Sequence, residues 1–266
     1  MRDPLVVALA QINSVLGEYR TNIEKIEAFT KDAVSQGADI IVFPELSLSG
    51  YDYSYFDHIK KYSNAEFESL KEVAIKNKIG MVVPLPIFEN ERIYNGAIVF
   101  DKKGNVVGEY KKFFLWEDEE NYFKPGREPL IFEFMGWKLS ILVCYDAGFP
   151  EMSRYLALQG VEAILMPSAF EKLDRYKWNI YFNSRALENS IFIAAVNHIG
   201  IEGESNFFGH SKLIDPFGSV IVESLKKTEG IIVGELDKNL IQSAQEKNKY
   251  TENLTKNIKE FEKWKR

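Results

Sequence analysis

Apolar and polar positions along the chain change period several times, and each change predicts an element. Residues 5–11, Leu-Val-Val-Ala-Leu-Ala-Gln, form a nearly unbroken apolar run of strand length, the pattern of a strand buried on both faces. Ile23, Ile26, Phe29 and Ala33 then recur at helical spacing. Thr21 and Glu24 have the spacing of a capping box for that helix, and Gly37 is expected to end it. Residues 40–43 predict a second buried strand, closed by Pro44, which has no N–H for a ladder. Phe67, Leu70, Val73 and Ala74 predict a helix over 64–77. Runs at 81–84, 93–100 and 106–110 predict strands, the last two joined through the turn Asp101-Lys-Lys-Gly104.

The second half alternates in the same way. Residues 117–126 predict a charged, aromatic-containing loop ending in Pro125-Gly126. Residues 131–134 and 139–143 predict a hairpin, followed by a helix over 150–159 that ends at Gly160. A strand at 163–166, a helix at 177–189 and a strand at 191–196 follow. Residues 209–214 and 219–222 flank the turn Asp215-Pro-Phe-Gly218, and 231–235 is the last strand. From Asp237 the chain is polar, lysine-rich and helix-compatible, with Phe261 and Trp264 as its large apolar residues. The whole reads as mixed α/β, with more hairpins than a doubly wound parallel sheet carries. No linker or repeat divides it, so the expectation is one body over 1–236 and a tail over 237–266 that serves assembly.

Composition narrows the function classes. The chain has 266 residues, 45% of them hydrophobic and 14% aromatic, ample for a large core. Its net charge is −6 with no concentrated basic stripe, which argues against a nucleic-acid partner. No apolar stretch approaches the ~20 residues that span a bilayer, and Arg2-Asp3-Pro4 leads straight into a strand rather than a secretory signal. A single cysteine excludes an internal disulfide framework and fits a reducing compartment, so the expected location is the cytoplasm. His58, His198 and His210 are isolated, with no metal-ligand spacing. Each is read as a surface or structural group, and no metal or cofactor is expected.

The chemistry centres on Cys144. Leu139 to Val143 read as a short buried strand, Tyr145-Asp-Ala-Gly148 as a turn, and Pro150-Glu151 as the first turn of a helix. A cysteine at that junction is exposed to ligands gathered at strand ends, with backbone N–H groups nearby to receive an oxyanion. A lone cysteine is more often a small buried hydrophobe. Two further residues change the weighting. Glu45 directly follows a buried strand, as Cys144 does, and Lys112 follows the end of a third. Together they suit acyl transfer: the carboxylate takes the thiol proton, the thiolate attacks, and the ammonium stabilises thiolate and oxyanion. Alone, Glu45 reads as a loop or capping carboxylate and Lys112 as a solvated strand-end lysine.

The strings Phe43-Pro-Glu-Leu-Ser-Leu-Ser-Gly-Tyr51, Tyr110-Lys-Lys-Phe-Phe-Leu115 and Val143-Cys-Tyr-Asp-Ala-Gly-Phe-Pro-Glu151 together resemble the nitrilase (carbon–nitrogen hydrolase) superfamily. Tyr94-Asn-Gly-Ala, Arg185-Ala-Leu-Glu-Asn189 and Phe208-Gly-His-Ser-Lys-Leu-Ile-Asp-Pro-Phe-Gly218 extend the resemblance over nearly the whole chain. It implies an α-β-β-α four-layer sandwich, with Cys144 as nucleophile, Glu45 as general base and Lys112 as the transition-state lysine. The family's second glutamate falls on Glu119, with Glu120 as the alternative. Tyr51, Tyr145, Phe170 and Trp178 are candidate walls of the substrate pocket, each equally compatible with plain core. Lys111, Phe114, Ala147-Gly148 and Asn183-Ser184 depart from the family's common residues and leave the substrate open. The implied activity is hydrolysis of a small carboxamide or N-carbamoyl compound without a cofactor, by a homodimer or higher oligomer. A nitrilase, a glutaminase subunit and a non-catalytic module on the same fold are the alternatives.

Overall fold

The computed structural model describes residues 4–263. Its first half runs β1 (Leu5–Gln11), α1 (Tyr19–Ser35), β2 (Ile40–Val42), α2 (Tyr53–Phe56), α3 (Asn64–Asn77), β3 (Gly80–Glu89), β4 (Arg92–Phe100) and β5 (Val106–Lys111). A 3-10 turn (Glu117–Asn121) leads to β6 (Ile131–Phe134), β7 (Trp137–Ile141), a second 3-10 turn (Cys144–Gly148), α4 (Pro150–Leu158) and β8 (Ala163–Ser168). Then come α5 (Arg175–Asn189), β9 (Phe192–Asn197), β10 (Ile199–Glu202), β11 (Ser205–Phe208), β12 (Lys212–Ile214) and β13 (Val220–Glu223). The chain closes with β14 (Gly230–Leu236), α6 (Lys238–Asn248) and α7 (Tyr250–Glu262).

The strands make two six-stranded sheets, ordered β14-β1-β2-β3-β4-β5 and β13-β12-β9-β8-β7-β6. Alternation along the strands explains how the sheets stack. Val7 and Leu9 of β1, Ile40 and Val42 of β2 and Val99 of β4 turn one way and pack with Leu139, Ile141, Leu165 and Ala194 of the second sheet. Ala8, Ala10, Ile41 and Met81 turn the other way and pack under Ile23, Ile26 and Ala33 of α1 and Leu70, Val73 and Ala74 of α3. Trp178, Phe182 and Ala186 of α5 and Leu156 of α4 join the core of the second sheet. The result is an α-β-β-α sandwich whose central strands are buried on both faces, which is why they read as continuous apolar runs. Burying each such side chain contributes roughly 1.5–3 kcal/mol.

The sequence reading needs correction at three places. Thr21 and Glu24 form no capping box, because α1 starts at Tyr19 and Thr21 lies inside it. Asn22 ties that end down instead, accepting from Val15 N and donating to Val15 O and Leu48 O at 2.8 Å each. Strand β3 runs on through Pro84 and Pro86. Beyond Val82 its β2 side has no strand partner, so prolines there interrupt no ladder on that side. The hairpin β10–β11 falls in a stretch whose pattern predicted nothing. In the tail, Ile241 and Ala244 of α6 are buried against the body, and α7 lies on α4 and α5. The Phe261 side chain and Trp264 fall outside the described residues.

Candidate active site

Strand ends from both sheets converge on one cleft. Glu45 leaves β2, Lys112 leaves β5 and Cys144 follows β7. Glu45 and Lys112 are fully buried, and Cys144 is 8% exposed. Glu119, on the first 3-10 turn, is also fully buried, whereas neighbouring Glu120 points to solvent. Lys112 Nζ donates to Glu45 Oε1 at 2.7 Å and to Glu119 Oε1 at 2.9 Å, with Glu119 Oε2 at 2.8 Å. Asn95 Nδ2 on β4 donates to Glu45 Oε1 at 2.7 Å and to Glu119 Oε1 at 3.3 Å. Tyr51 Oη donates to Glu119 Oε1 at 2.8 Å. Glu45 Oε2 is buried and has no hydrogen-bond partner among the described residues. A buried carboxylate oxygen left unpaired is costly for folding.

The local backbone is strained beside these residues. Cys144 has φ +49° and Leu46, just after Glu45, has φ +50°, both in the left-handed region that non-glycine residues avoid. Asp146 clamps the cysteine turn. Its Oδ2 accepts from Val143 N at 3.0 Å and Tyr110 Oη at 2.7 Å, and its Oδ1 accepts from Phe114 N at 2.8 Å. Tyr110 and Phe114 bracket Lys112, so one carboxylate ties the turn of Cys144 in one sheet to the lysine's segment in the other. Arg185 holds the far side of the turn, donating to Ala147 O at 3.0 Å and Gly148 O at 3.3 Å. Gly126 N donates to Lys112 O at 2.8 Å. A Cβ on Gly126 would meet Lys111 O at 2.1 Å, so only glycine permits that approach.

Electrostatics follow from two carboxylates and one ammonium in a dry site. Burial works against the Lys112 charge, but Glu119 and Glu45 outweigh it and hold the ammonium well above the usual lysine range. Burial, with Glu45 as a like-charged neighbour, pushes Glu119 up against the pull of Lys112. Burial and then the Glu45 charge push the Cys144 thiol well up, opposed by Lys112 and the Ala169 N–H. The Cys144 side chain therefore rests as a neutral thiol within reach of the Glu45 charge.

The cleft above this floor encloses about 40 Å³ and is lined by Tyr51, Trp116, Cys144, Tyr145, Ala169, Phe170, Asp174, Lys177 and Tyr181. Tyr51, Tyr145 and Phe170, read from sequence as walls, line it. Glu120 and Trp178 do not. Glu120 is turned outward by the 3-10 turn that points Glu119 inward. Trp178 lies a layer behind: it is fully buried, packs edge-on to Phe170 with centroids 5.2 Å apart, and donates from Nε1 to His210 O at 2.9 Å. Asn95, Trp116, Asp174 and Lys177 escaped the sequence reading as site residues. Only Asn95 carried a signal, the Tyr94-Asn-Gly-Ala string. Lys177 Nζ pairs with Asp174 Oδ1 at 2.6 Å and sits 4.6 Å from the Trp116 ring centre, forming a charged rim. The larger groove between α1 and α3 includes no cysteine or histidine. No group of His, Cys, Asp and Glu suited to a metal ion occurs among the described residues.

An α-β-β-α sandwich with a buried thiol and a charged floor at its strand ends defines a class first, the nitrilase-type hydrolases. The carbon-nitrogen hydrolase family matches residues 6–246, and the chain belongs to that family. It is a hydrolytic enzyme acting on non-peptide carbon–nitrogen bonds. A 2-oxoglutaramate amidase of Bacillus subtilis is 33% identical over 235 residues, covering 87% of this chain and 90% of that protein. A glutamine-dependent NAD(+) synthetase of Aquifex aeolicus is 36% identical over 88% of this chain but only 42% of that protein. The crystal structure of an amidase from Nesterenkonia sp. superposes with a TM-score of 0.84 at 31% identity, covering 91% of this chain and 94% of that one. A variant of that amidase carries the acetamide moiety of fluoroacetamide added covalently at its active-site cysteine.

Proposed function

We propose that this enzyme is an amidase that cleaves a small carboxamide through a thioester on Cys144. The observation that carries the reading is the free, buried Oε2 of Glu45, on a carboxylate whose charge is felt by Cys144 and whose other oxygen is held by Lys112 and Asn95. Glu45 takes the thiol proton as sulfur attacks the amide carbon. The Lys112 ammonium stabilises the oxyanion of the tetrahedral intermediate. The C–N bond then breaks, and the proton held by Glu45 passes to the departing nitrogen, releasing ammonia or amine. Water, deprotonated by Glu45, attacks the thioester, and the acid leaves with the thiol restored. Glu119 fixes Lys112 and orients the amide nitrogen.

The cleft is narrow, about 40 Å³. That favours short-chain amides over bulky N-carbamoyl compounds and over nitriles with aromatic groups. The named activity of the Bacillus relative and the acrylamide and butyramide complexes of the Nesterenkonia amidase support the amide class. The test is ammonia release across acetamide, propionamide, butyramide, ω-amides of dicarboxylic acids and N-carbamoyl amino acids. Turnover of nitriles alone would overturn the amide assignment. We further place the enzyme in the cytoplasm, as a homodimer. Among the described residues no helix is long and apolar enough to cross a membrane. Leu173, Tyr176 and Ile180 make an exposed apolar stripe at the start of α5, with Leu173 88% exposed, and α7 lies on the same helix. Light scattering of the full chain and of a chain truncated at Asp237 tests the tail's part in that dimer.

A further inference from the structure

His198 is a buried titratable group that the mechanism above does not use. It follows β9, opposite the loop that carries Glu45, and is fully buried. Its Nε2 lies 2.6 Å from the backbone oxygen of Glu45. A carbonyl oxygen only accepts, so Nε2 carries a hydrogen. Its Nδ1 lies 2.7 Å from Glu202 Oε1 on β10, an ion-pair contact set off the line of an ideal hydrogen bond. Glu202 is itself anchored as a carboxylate: Oε1 accepts from Ser14 N at 2.6 Å and Oε2 from Tyr51 N at 2.9 Å. The charged groups that act on the ring are thus Glu202 and Glu45, and the Phe207 ring lies 5.1 Å away centre to centre. An acceptor stands near each ring nitrogen, and Nε2 carries the hydrogen that meets the Glu45 carbonyl.

We propose that His198 is a positioning residue for the amidase reaction: with Glu202 it fixes the backbone at Glu45 and Tyr51, and so fixes where Oε2 of Glu45 meets the cysteine. The inference rests on the amidase reading for its kinetic effect, but its structural core does not. Glu45 is followed by Leu46 in the left-handed region, a conformation that relaxes unless the surroundings hold it. The His198 contact to the Glu45 carbonyl is one such hold. Through Glu202 the same pair anchors Tyr51 N, whose side chain hydrogen-bonds Glu119. One buried ion pair therefore reaches both carboxylates of the floor without touching substrate. Burial alone would lower the ring's proton affinity, but Glu202 and the Glu45 carbonyl outweigh it and raise it above the ordinary histidine value.

Two substitutions separate positioning from mere support. In H198N the amide reaches toward Glu202 but falls short of the Glu45 carbonyl. In H198Q the longer side chain brings its nitrogen to that carbonyl. With propionamide as probe, H198N is expected to lower kcat at least ~30-fold with KM within about threefold, and H198Q to recover at least tenfold of the loss. A folded H198N with wild-type kcat, or equal losses in both variants, overturns the proposal. If the wild-type enzyme turns over no amide, the amidase reading fails, and the same variants are ranked by the rate of Cys144 alkylation with iodoacetamide. There H198N slower than H198Q sustains the positioning role, and equal rates overturn it. A measurement on the unaltered chain guards against variants that do not fold. In 15N spectra of labelled protein, where only three histidines contribute, Nε2 of His198 is expected to carry its proton at pH 8. A His198 ring with Nε2 unprotonated overturns the proposal.

Discussion

The floor of the cleft and its rim are built on opposite physical terms. On the floor, Glu45, Lys112 and Glu119 are fully buried, and contacts of 2.7–2.9 Å run between Lys112 and the two glutamates. On the rim, Asp174 and Lys177 keep 30% and 19% of their side chains in water, on a helix start that also carries exposed Leu173 and Tyr176. Buried charges depend on one another: removing one leaves the others uncompensated, at about 3–5 kcal/mol. A solvated pair is worth about 0–1 kcal/mol and can be rearranged freely. The floor is thus fixed by its own charges, and we propose that the rim is where substrates are told apart.

Cys144→Ala breaks the comparison at its deepest point. It is expected to abolish turnover while leaving folding nearly intact, because the alanine fills the same strained backbone and only the sulfur is lost. Ammonia release and circular dichroism check this together. Glu45→Gln and Lys112→Ala are expected to lower kcat by at least ~10² each, and the double variant to lose far less than the product of the two. Multiplicative losses would mean that the two groups do not act as one unit. Glu119→Gln is expected to cut kcat/KM by roughly 10², and Glu120→Gln to leave it within a few-fold. The two acids are adjacent in sequence, so this pair measures burial and aim alone.

Asp146 tests the frame beneath the floor. Burial pushes its carboxyl up to about 6, against the pull of Phe114 N–H, the Tyr110 hydroxyl and Val143 N–H. Its folded value lies above the unfolded 3.8, so the folded state binds the extra proton between the two. Its contribution to stability is therefore greatest below pH 3.8 and declines as pH rises toward about 6. Relative to Asp146→Asn, the wild type is expected to lose up to ~3 kcal/mol across that window, read by urea unfolding. A difference that grows with pH would show the three donors outweighing burial. The smallest effect belongs to the rim. Lys177→Ala is expected to change KM less than about tenfold and differently for neutral and acidic amides, with kcat nearly kept. Equal change for every amide would remove the rim from selection.

The same contrast explains what was legible in the sequence. Glu45 and Cys144 each follow an apolar run, and strand ends are places where an apolar pattern stops abruptly, whereas Lys112 follows the mixed strand Val106–Lys111 and was legible through the string Tyr110-Lys-Lys-Phe-Phe-Leu115. Glu119 could be told from Glu120 only through its register against Tyr122-Phe123 and Pro125-Gly126. Trp178 was read as a wall because large aromatics look alike in sequence whether they face a cleft or back it. Lys177 and Asp174 gave no signal, since a lysine and an aspartate at i, i+3 on a helix look like any solvated pair. His198 gave none because Glu45 meets it from a loop 153 residues away in sequence and Glu202 lies on β10, a strand the pattern does not predict.

The most direct test of the account is an acyl-enzyme trap. Wild-type enzyme is mixed with propionamide, quenched in acid within milliseconds, and its mass and peptides are read. The account predicts a propionyl adduct, mapped to Cys144, that decays as ammonia and propionate appear and is absent from Cys144→Ala. Steady ammonia release with no adduct on Cys144, or activity in Cys144→Ala within tenfold of wild type, would contradict it.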